Sequence, residues 1–203
     1  MNYRLLIIVV LMVQGFLLTG CNTGSEKNRT QLQESPNAVR PAEPDLIVSI
    51  HQAALEGRTD LVKRLLDEGV GADIADEDGR TPLMYAAFNG HNEIIKLLLD
   101  QGAKVNSPDL NGRTALMMAS SGPYPAAVKI LLDHGADPNI ADKEERFTAL
   151  MYAAAEGQTD VVKLLLAYRA DPSAKDADGD DALTFAVNNG HAEVAALLKK
   201  FVK

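Results

Sequence analysis

Tryptophan is absent from this chain of 203 residues, cysteine occurs once, and aromatic residues make up only 5%. A single cysteine excludes an internal disulfide and any multi-cysteine metal site. With so few aromatics, core and interfaces must rest on aliphatic packing. Positive charge is also short: 20 Lys and Arg stand against 28 Asp and Glu, a formal net charge of −8. General nucleic-acid binding draws its affinity from neutralised phosphates, and this balance argues against it. Catalytic signatures are missing too, with no His-x-x-x-His, no Gly-rich phosphate loop and no Gly-x-Ser-x-Gly elbow. His51, His91, His134 and His191 are scattered, and the carboxylates are spread along the chain. No enzymatic activity, cofactor or metal is expected.

The first residues carry an address. Met1 to Arg4 form a short positive start, and Leu5 to Leu18 are apolar except for Gln14 and Gly15. Such a run in helix rises roughly 21 Å, against a hydrocarbon core of about 30 Å. A short apolar core behind a basic tip is the pattern of a secretory signal. Leu18-Thr19-Gly20-Cys21 then resembles the lipobox of bacterial lipoproteins, in which small residues precede an obligatory cysteine. The resemblance implies cleavage before Cys21, lipidation of that residue and a place in the bacterial envelope. Asn22, rather than Asp, follows it. In enteric-type bacteria this resembles export to the periplasmic face of the outer membrane rather than retention at the inner one. Residues 22–44 are polar, include Pro36, Pro41 and Pro44, and lack sustained apolar periodicity, so a disordered tether is expected.

The remainder repeats itself. Thr81-Pro82-Leu83-Met84-Tyr85-Ala86-Ala87 returns as Thr114-Ala115-Leu116-Met117-Met118-Ala119-Ser120 and as Thr148-Ala149-Leu150-Met151-Tyr152-Ala153-Ala154. Asp181-Ala182-Leu183-Thr184-Phe185-Ala186-Val187 is a fourth version, and Val48 to Gly57 fits the template without its polar opening. A second phrase keeps step: Ile94-Ile95-Lys96-Leu97-Leu98-Leu99, Ala127-Val128-Lys129-Ile130-Leu131-Leu132 and Val161-Val162-Lys163-Leu164-Leu165-Leu166. A period of 33 or 34 residues marks a solenoid.

This pattern closely resembles the ankyrin repeat, down to Gly90-His91, Gly190-His191 and Gly135-Ala136-Asp137-Pro138-Asn139. The resemblance implies an all-α solenoid of helix-turn-helix units with projecting turn or hairpin fingers. The expected organisation is a signal peptide over 1–20, a lipid-anchored tether over 21–44 and an ankyrin domain over 45–203. Five repeats are read there, approximately 45–75, 76–108, 109–141, 142–175 and 176–203.

Local chemistry agrees. Thr81, Thr114, Thr148 and Asp181 are placed to cap helix N-termini, with Pro82 in a first helical position. Asp60, Glu93, Asp160 and Glu193 open the second helices, where negative charge complements the dipole. Gly69, Gly102 and Gly135 stand where those helices end, but Arg169 takes that place in the fourth copy. Arg64 and Lys199 replace inter-repeat aliphatics at the two ends and are read as solvent-facing caps. Met84, Met117, Met118 and Met151 hold fixed places in the repeat and are read as packing residues, as are Tyr85 and Tyr152.

Two irregularities interrupt the pattern. Asp142-Lys143-Glu144-Glu145-Arg146-Phe147 is one residue longer than its counterparts and lacks their Gly. Ser120-Ser121-Gly122-Pro123-Tyr124-Pro125 replaces the usual inter-helix turn, so the third copy's first helix should end early. Drift in tolerant loops explains both as well as selection by a partner does.

What the family resemblance implies for function is protein binding through fingers and a concave groove. Carried over by position, the fingers hold Glu77, Asp78 and Arg80; Leu110, Asn111 and Arg113; Lys143, Glu144, Glu145, Arg146 and Phe147; and Ala177, Asp178 and Asp180. The helix positions are Phe88, Asn89, Ser121, Ala155, Glu156, Asn188 and Asn189. Phe88, Leu110 and Phe147 are apolar on a face expected to be wet, either as interface anchors or tucked against neighbouring loops. Residues 45–203 carry 16 positive and 25 negative charges, a net −9. A basic partner surface would be steered toward the acidic fingers.

The expectation is a monomeric, non-catalytic module that binds a protein in the periplasm or envelope, with no nucleic-acid partner. The alternatives are an immunity or inhibitor protein against a periplasm-active toxin, an accessory to a periplasmic oxidative-stress enzyme, or a purely structural envelope protein. The second follows from small bacterial ankyrin proteins of similar build, which are linked to periplasmic catalase.

Overall fold

The computed structural model describes residues 45–201. The expected leader, Cys21 and the tether lie outside the described residues. Among the described residues ten helices follow in pairs: α1 (Asp45–Leu55) with α2 (Thr59–Asp67), α3 (Pro82–Phe88) with α4 (Asn92–Asp100), and α5 (Ala115–Ser120) with α6 (Pro125–Asp133). After them come α7 (Ala149–Ala155) with α8 (Thr159–Ala167), and α9 (Ala182–Asn188) with α10 (Ala192–Leu198). The described residues hold no strand; one isolated antiparallel bridge joins Ala141 to Thr148. None of these helices is long and apolar enough to cross a membrane.

The helix starts follow from the capping residues. Thr81, Thr114 and Thr148 are extended, and each hydroxyl accepts the backbone N–H three residues on, at 3.4, 3.5 and 3.4 Å. Asp181 makes the same bond to Thr184 N–H at 2.9 Å. These caps satisfy donors that a helix of six or seven residues cannot satisfy itself. Asp60, Glu93, Asp160 and Glu193 lie in the first turns of α2, α4, α8 and α10, as charge–dipole matching requires.

The small side chains Ala86, Ala87, Ala119, Ala153, Ala154 and Ala186 are all fully buried, which lets the first helices stack closely. Leu83, Leu116, Leu150, Leu98, Leu131 and Leu165 fill the layer between first and second helices. The four methionines of the repeat are at most 2% exposed and are packing residues. Arg64 and Lys199, at the two ends, are exposed.

Where α2, α4 and α6 end, Gly69, Gly102 and Gly135 take φ of 92°, 84° and 84°. Arg169 adopts the same left-handed conformation at φ 66°, so the fourth copy keeps the geometry without the residue that makes it easy. In the third copy α5 has six residues where α3, α7 and α9 have seven, in line with the altered turn. Tyr124 places its ring over Gly90, the position that His91 takes over Gly57 and His191 over Gly157.

A further tie was not read from the sequence. Asp73, Asn106 and Asn139 recur every 33 residues and each reaches the next loop. Their Oδ1 atoms accept the backbone N–H of Lys104, Asp137 and Asp171 at 2.8, 2.9 and 2.8 Å. The spacing was the available signal, and only its geometry shows that these polar loop residues bind the stack together.

Candidate partner-binding face

Each finger is built by one aspartate at its base. Asp76, Asp109 and Asp176 accept the N–H four residues on, at Arg80, Arg113 and Asp180, each at 2.8 Å. Their own N–H groups close the turn on the same residues' carbonyls at 3.0, 2.9 and 2.9 Å. Neighbouring fingers are then joined through the backbone. Leu110 N–H donates to Asp78 O, Lys143 N–H to Asn111 O and Ala177 N–H to Glu145 O, at 3.0, 2.9 and 2.9 Å. The fingers thus form one bonded row.

Leu110 stands out on that row. Its side chain is 65% exposed, while its backbone is fixed on both sides: the N–H by Asp78 and the carbonyl by Lys143 Nζ at 3.2 Å. A fixed apolar tip loses little conformational freedom on binding. Glu77, Asp78, Lys143, Glu144, Arg146, Ala177 and Asp178 are exposed around and beyond it. Asn111, Glu145 and Asp180 are half-buried, and Glu145 N–H also donates to Asp142 Oδ1 at 3.0 Å.

Two finger residues proposed for the binding face belong to the interior. Phe147 is only 4% exposed and packs edge-on against Tyr152 and Phe185, with centroids 5.7 and 5.2 Å apart. Its place directly before the Thr148 cap puts it under the finger. Arg113 is 9% exposed, with Nε and Nη2 at 2.8 and 2.7 Å from Asp109 Oδ2. This pair braces the finger from below. Arg80 behaves similarly, with a side chain 12% exposed and Nη1 3.1 Å from Asp78.

On the helix side, Phe88, Ser121 and Glu156 are half-buried, Asn188 is exposed, and Ala155 is 4% exposed and leaves the face. Asn89 and Asn189 are engaged structurally: their Nδ2 atoms each donate to a carbonyl of the preceding copy, Leu55 O and Ala155 O, at 2.8 Å. His91 and His191 donate from Nε2 to the same two carbonyls at 3.0 and 2.9 Å. Both rings therefore tie adjacent copies together.

The electrostatics of the finger bases are those of buried structural groups. Burial pushes the Tyr85 hydroxyl up to about 12, helped by its 2.5 Å donation to Asp76. Tyr152 is raised further, by burial and by the nearby Asp142 carboxylate. Burial raises Asp142 and Glu156 as well. Asp181 is held low: burial works to raise it, but Lys175 at 2.7 Å and the Thr184 bonds outweigh that effect. Among the described residues, no group of three or more His, Cys, Asp or Glu is placed to hold a metal ion.

A row of braced turns projecting from stacked helix pairs defines a repeat scaffold for recognition. The chain matches the family model described as ankyrin repeats (3 copies) over residues 50–142 and 140–202, and it belongs to the ankyrin-repeat family. Such repeats generally mediate protein–protein interaction and are typically non-catalytic. A comparison with curated proteins finds no match.

Proposed function

We propose that this chain is a lipid-anchored, non-catalytic module of five ankyrin repeats that presents its finger row to a protein partner in the bacterial envelope. The observation carrying the partner-binding part is Leu110: a large apolar side chain 65% exposed on a backbone fixed from both sides. The acidic tips Glu77 and Asp78 stand on the preceding finger, whose Asp78 carbonyl accepts the Leu110 N–H, and Asp178 lies beyond Lys143 and Arg146. An apolar contact point among carboxylates suits a partner surface with an apolar pocket and a basic rim. The anchor rests on Cys21, the only cysteine, at the position the lipobox requires.

Crosslinking in the native envelope, followed by capture, tests the first part. Leu110→Ser should leave the urea melt unchanged and weaken capture by tenfold or more, since buried anchors often contribute about 2 kcal/mol. Equal capture by parent and variant would move the binding face elsewhere. Cys21→Ser tests the second: the array should remain folded while processing stops or the protein leaves the membrane fraction. A processed, membrane-bound Ser variant would sink the lipoprotein reading.

A further inference from the structure

The C-terminal corner of the array differs from the rest of its surface. Lys199, Lys200 and Phe201 follow α10 directly and are all exposed, Phe201 by 52%. Residues 45–203 carry a net −9, yet from Ala192 to Phe201 the only acid is Glu193, at the far end of the helix. Among the described residues neither lysine makes an ion pair, as is also true of Lys63, Lys96 and Lys104, but only this pair adjoins an exposed aromatic residue.

Among the described residues, the Phe201 ring takes part in no aromatic contact. Its counterpart one copy earlier is Tyr168, whose hydroxyl donates to Asp133 of the copy before at 2.5 Å. At the last copy both halves of that tie are gone. Phe201 has no hydroxyl, and the position matching Asp133 is Ala167. Lys199 in turn stands where Leu66, Leu99, Leu132 and Leu166 stand in the other copies. The end of the stack thus holds an exposed ring beside two exposed cations.

We infer that this corner contacts an anionic bilayer surface, with Phe201 entering the interface and Lys199 and Lys200 on the lipid phosphates. Patch size favours a bilayer over an acidic protein. A stable protein interface needs roughly 800 Å² on each partner, far more than three consecutive side chains present. A bilayer accepts single side chains: each lysine near an anionic surface adds its own attraction, and an amphipathic residue keeps its stem in the apolar layer. A two-fold symmetric contact with a second copy would bring like charges together at this corner. The acidic remainder of the array is repelled by the same bilayer, so contact is confined to this end. The inference takes from the lipid-anchor proposal only nearness to a membrane, which raises the effective concentration enough for a weak patch to set orientation.

The absence of tryptophan supplies the test. The chain from residue 22 onward, with a polyhistidine tag in place of the leader and Cys21, is tethered to vesicles containing a nickel-chelating lipid. Phe201→Trp then carries the sole indole. On vesicles rich in phosphatidylglycerol its emission should shift to the blue and be quenched by brominated acyl chains. On phosphatidylcholine vesicles it should stay water-like, as should a Leu110→Trp reporter on either. Adding Lys199→Glu and Lys200→Glu should abolish the shift. The inference is overturned if the emission does not change on anionic vesicles, or if its shift ignores lipid charge or survives the lysine changes. A blue shift that grows with protein concentration without vesicles would assign the corner to a second copy instead. Because the nickel tether replaces Cys21, failure here is distinct from failure of the lipoprotein reading.

Discussion

Leu110 and Phe147 sit on neighbouring fingers, both apolar on a row of charged turns, and they end in opposite environments. Leu110 is 65% exposed and Phe147 4%. The difference is one of register. Counted forward from the base aspartates, Leu110 matches Lys143, and both are exposed tips. Counted backward from the Thr caps, Phe147 matches Arg80 and Arg113, whose side chains are 12% and 11% exposed. The position before a cap is buried at Arg113 and Phe147 and half-buried at Arg80 and Asp180, and in no finger is it an exposed tip. In the third copy it is filled by an arginine paired to its own aspartate, and in the fourth by an aromatic ring. The residue type at that position was misleading, while its distance from the cap was informative.

The largest expected effect separates these two residues. Phe147→Ala should cost about 3–5 kcal/mol, because it empties a site between Tyr152 and Phe185. Leu110→Ser should stay within about 0.5 kcal/mol, as an exposed change does. Urea melts of the two variants decide it, and comparable losses would mean that the fingers do not divide as the structure shows.

A smaller effect contrasts the third copy with its neighbours. Ser120 takes the place of Ala87 and Ala154 and is fully buried, and its Oγ has no hydrogen-bond partner. An unsatisfied buried hydroxyl is a cost that the neighbouring copies avoid. Ser120→Ala should therefore stabilise the array by about 1 kcal/mol in the same melts. A loss of stability would show that the hydroxyl has a partner, such as a bound water, in solution.

Repetition made the fold legible. Caps, acidic first turns and helix-ending glycines recur at fixed offsets, so each copy checked the others, and the structure follows them. The site was legible only as a face. Sequence position placed Glu77, Asp78, Leu110, Lys143, Glu144 and Arg146 on exposed fingers. Phe147 and Arg113 were grouped with them as finger residues, although their place one residue before the Thr caps sets them apart as buried positions. Tyr124 lies 33 residues after His91, so the period marks its place, but its residue type does not say that its ring will stand in for a histidine.

The smallest effect concerns how the extra residue is absorbed. The fourth copy's finger turns through Arg146 at φ 59°, where the third copy's finger turns through Gly112 at φ 82°. Left-handed backbone costs a residue with a Cβ about 1–2 kcal/mol, whereas glycine adopts it freely but gives up more entropy on folding. The net gain from Arg146→Gly should be about 0.5–1 kcal/mol, because Arg146 is exposed and its side chain contributes little packing. Arg169→Gly is the matched control. Its φ is 66°, its side chain is also exposed, and three other copies already place glycine there. If both variants gain alike, the longer finger is an ordinary left-handed turn made from the wrong residue. If Arg169→Gly gains and Arg146→Gly loses, the arginine stabilises the finger through its side chain. The tip of the fourth copy would then be held in shape by its own charge rather than by its backbone.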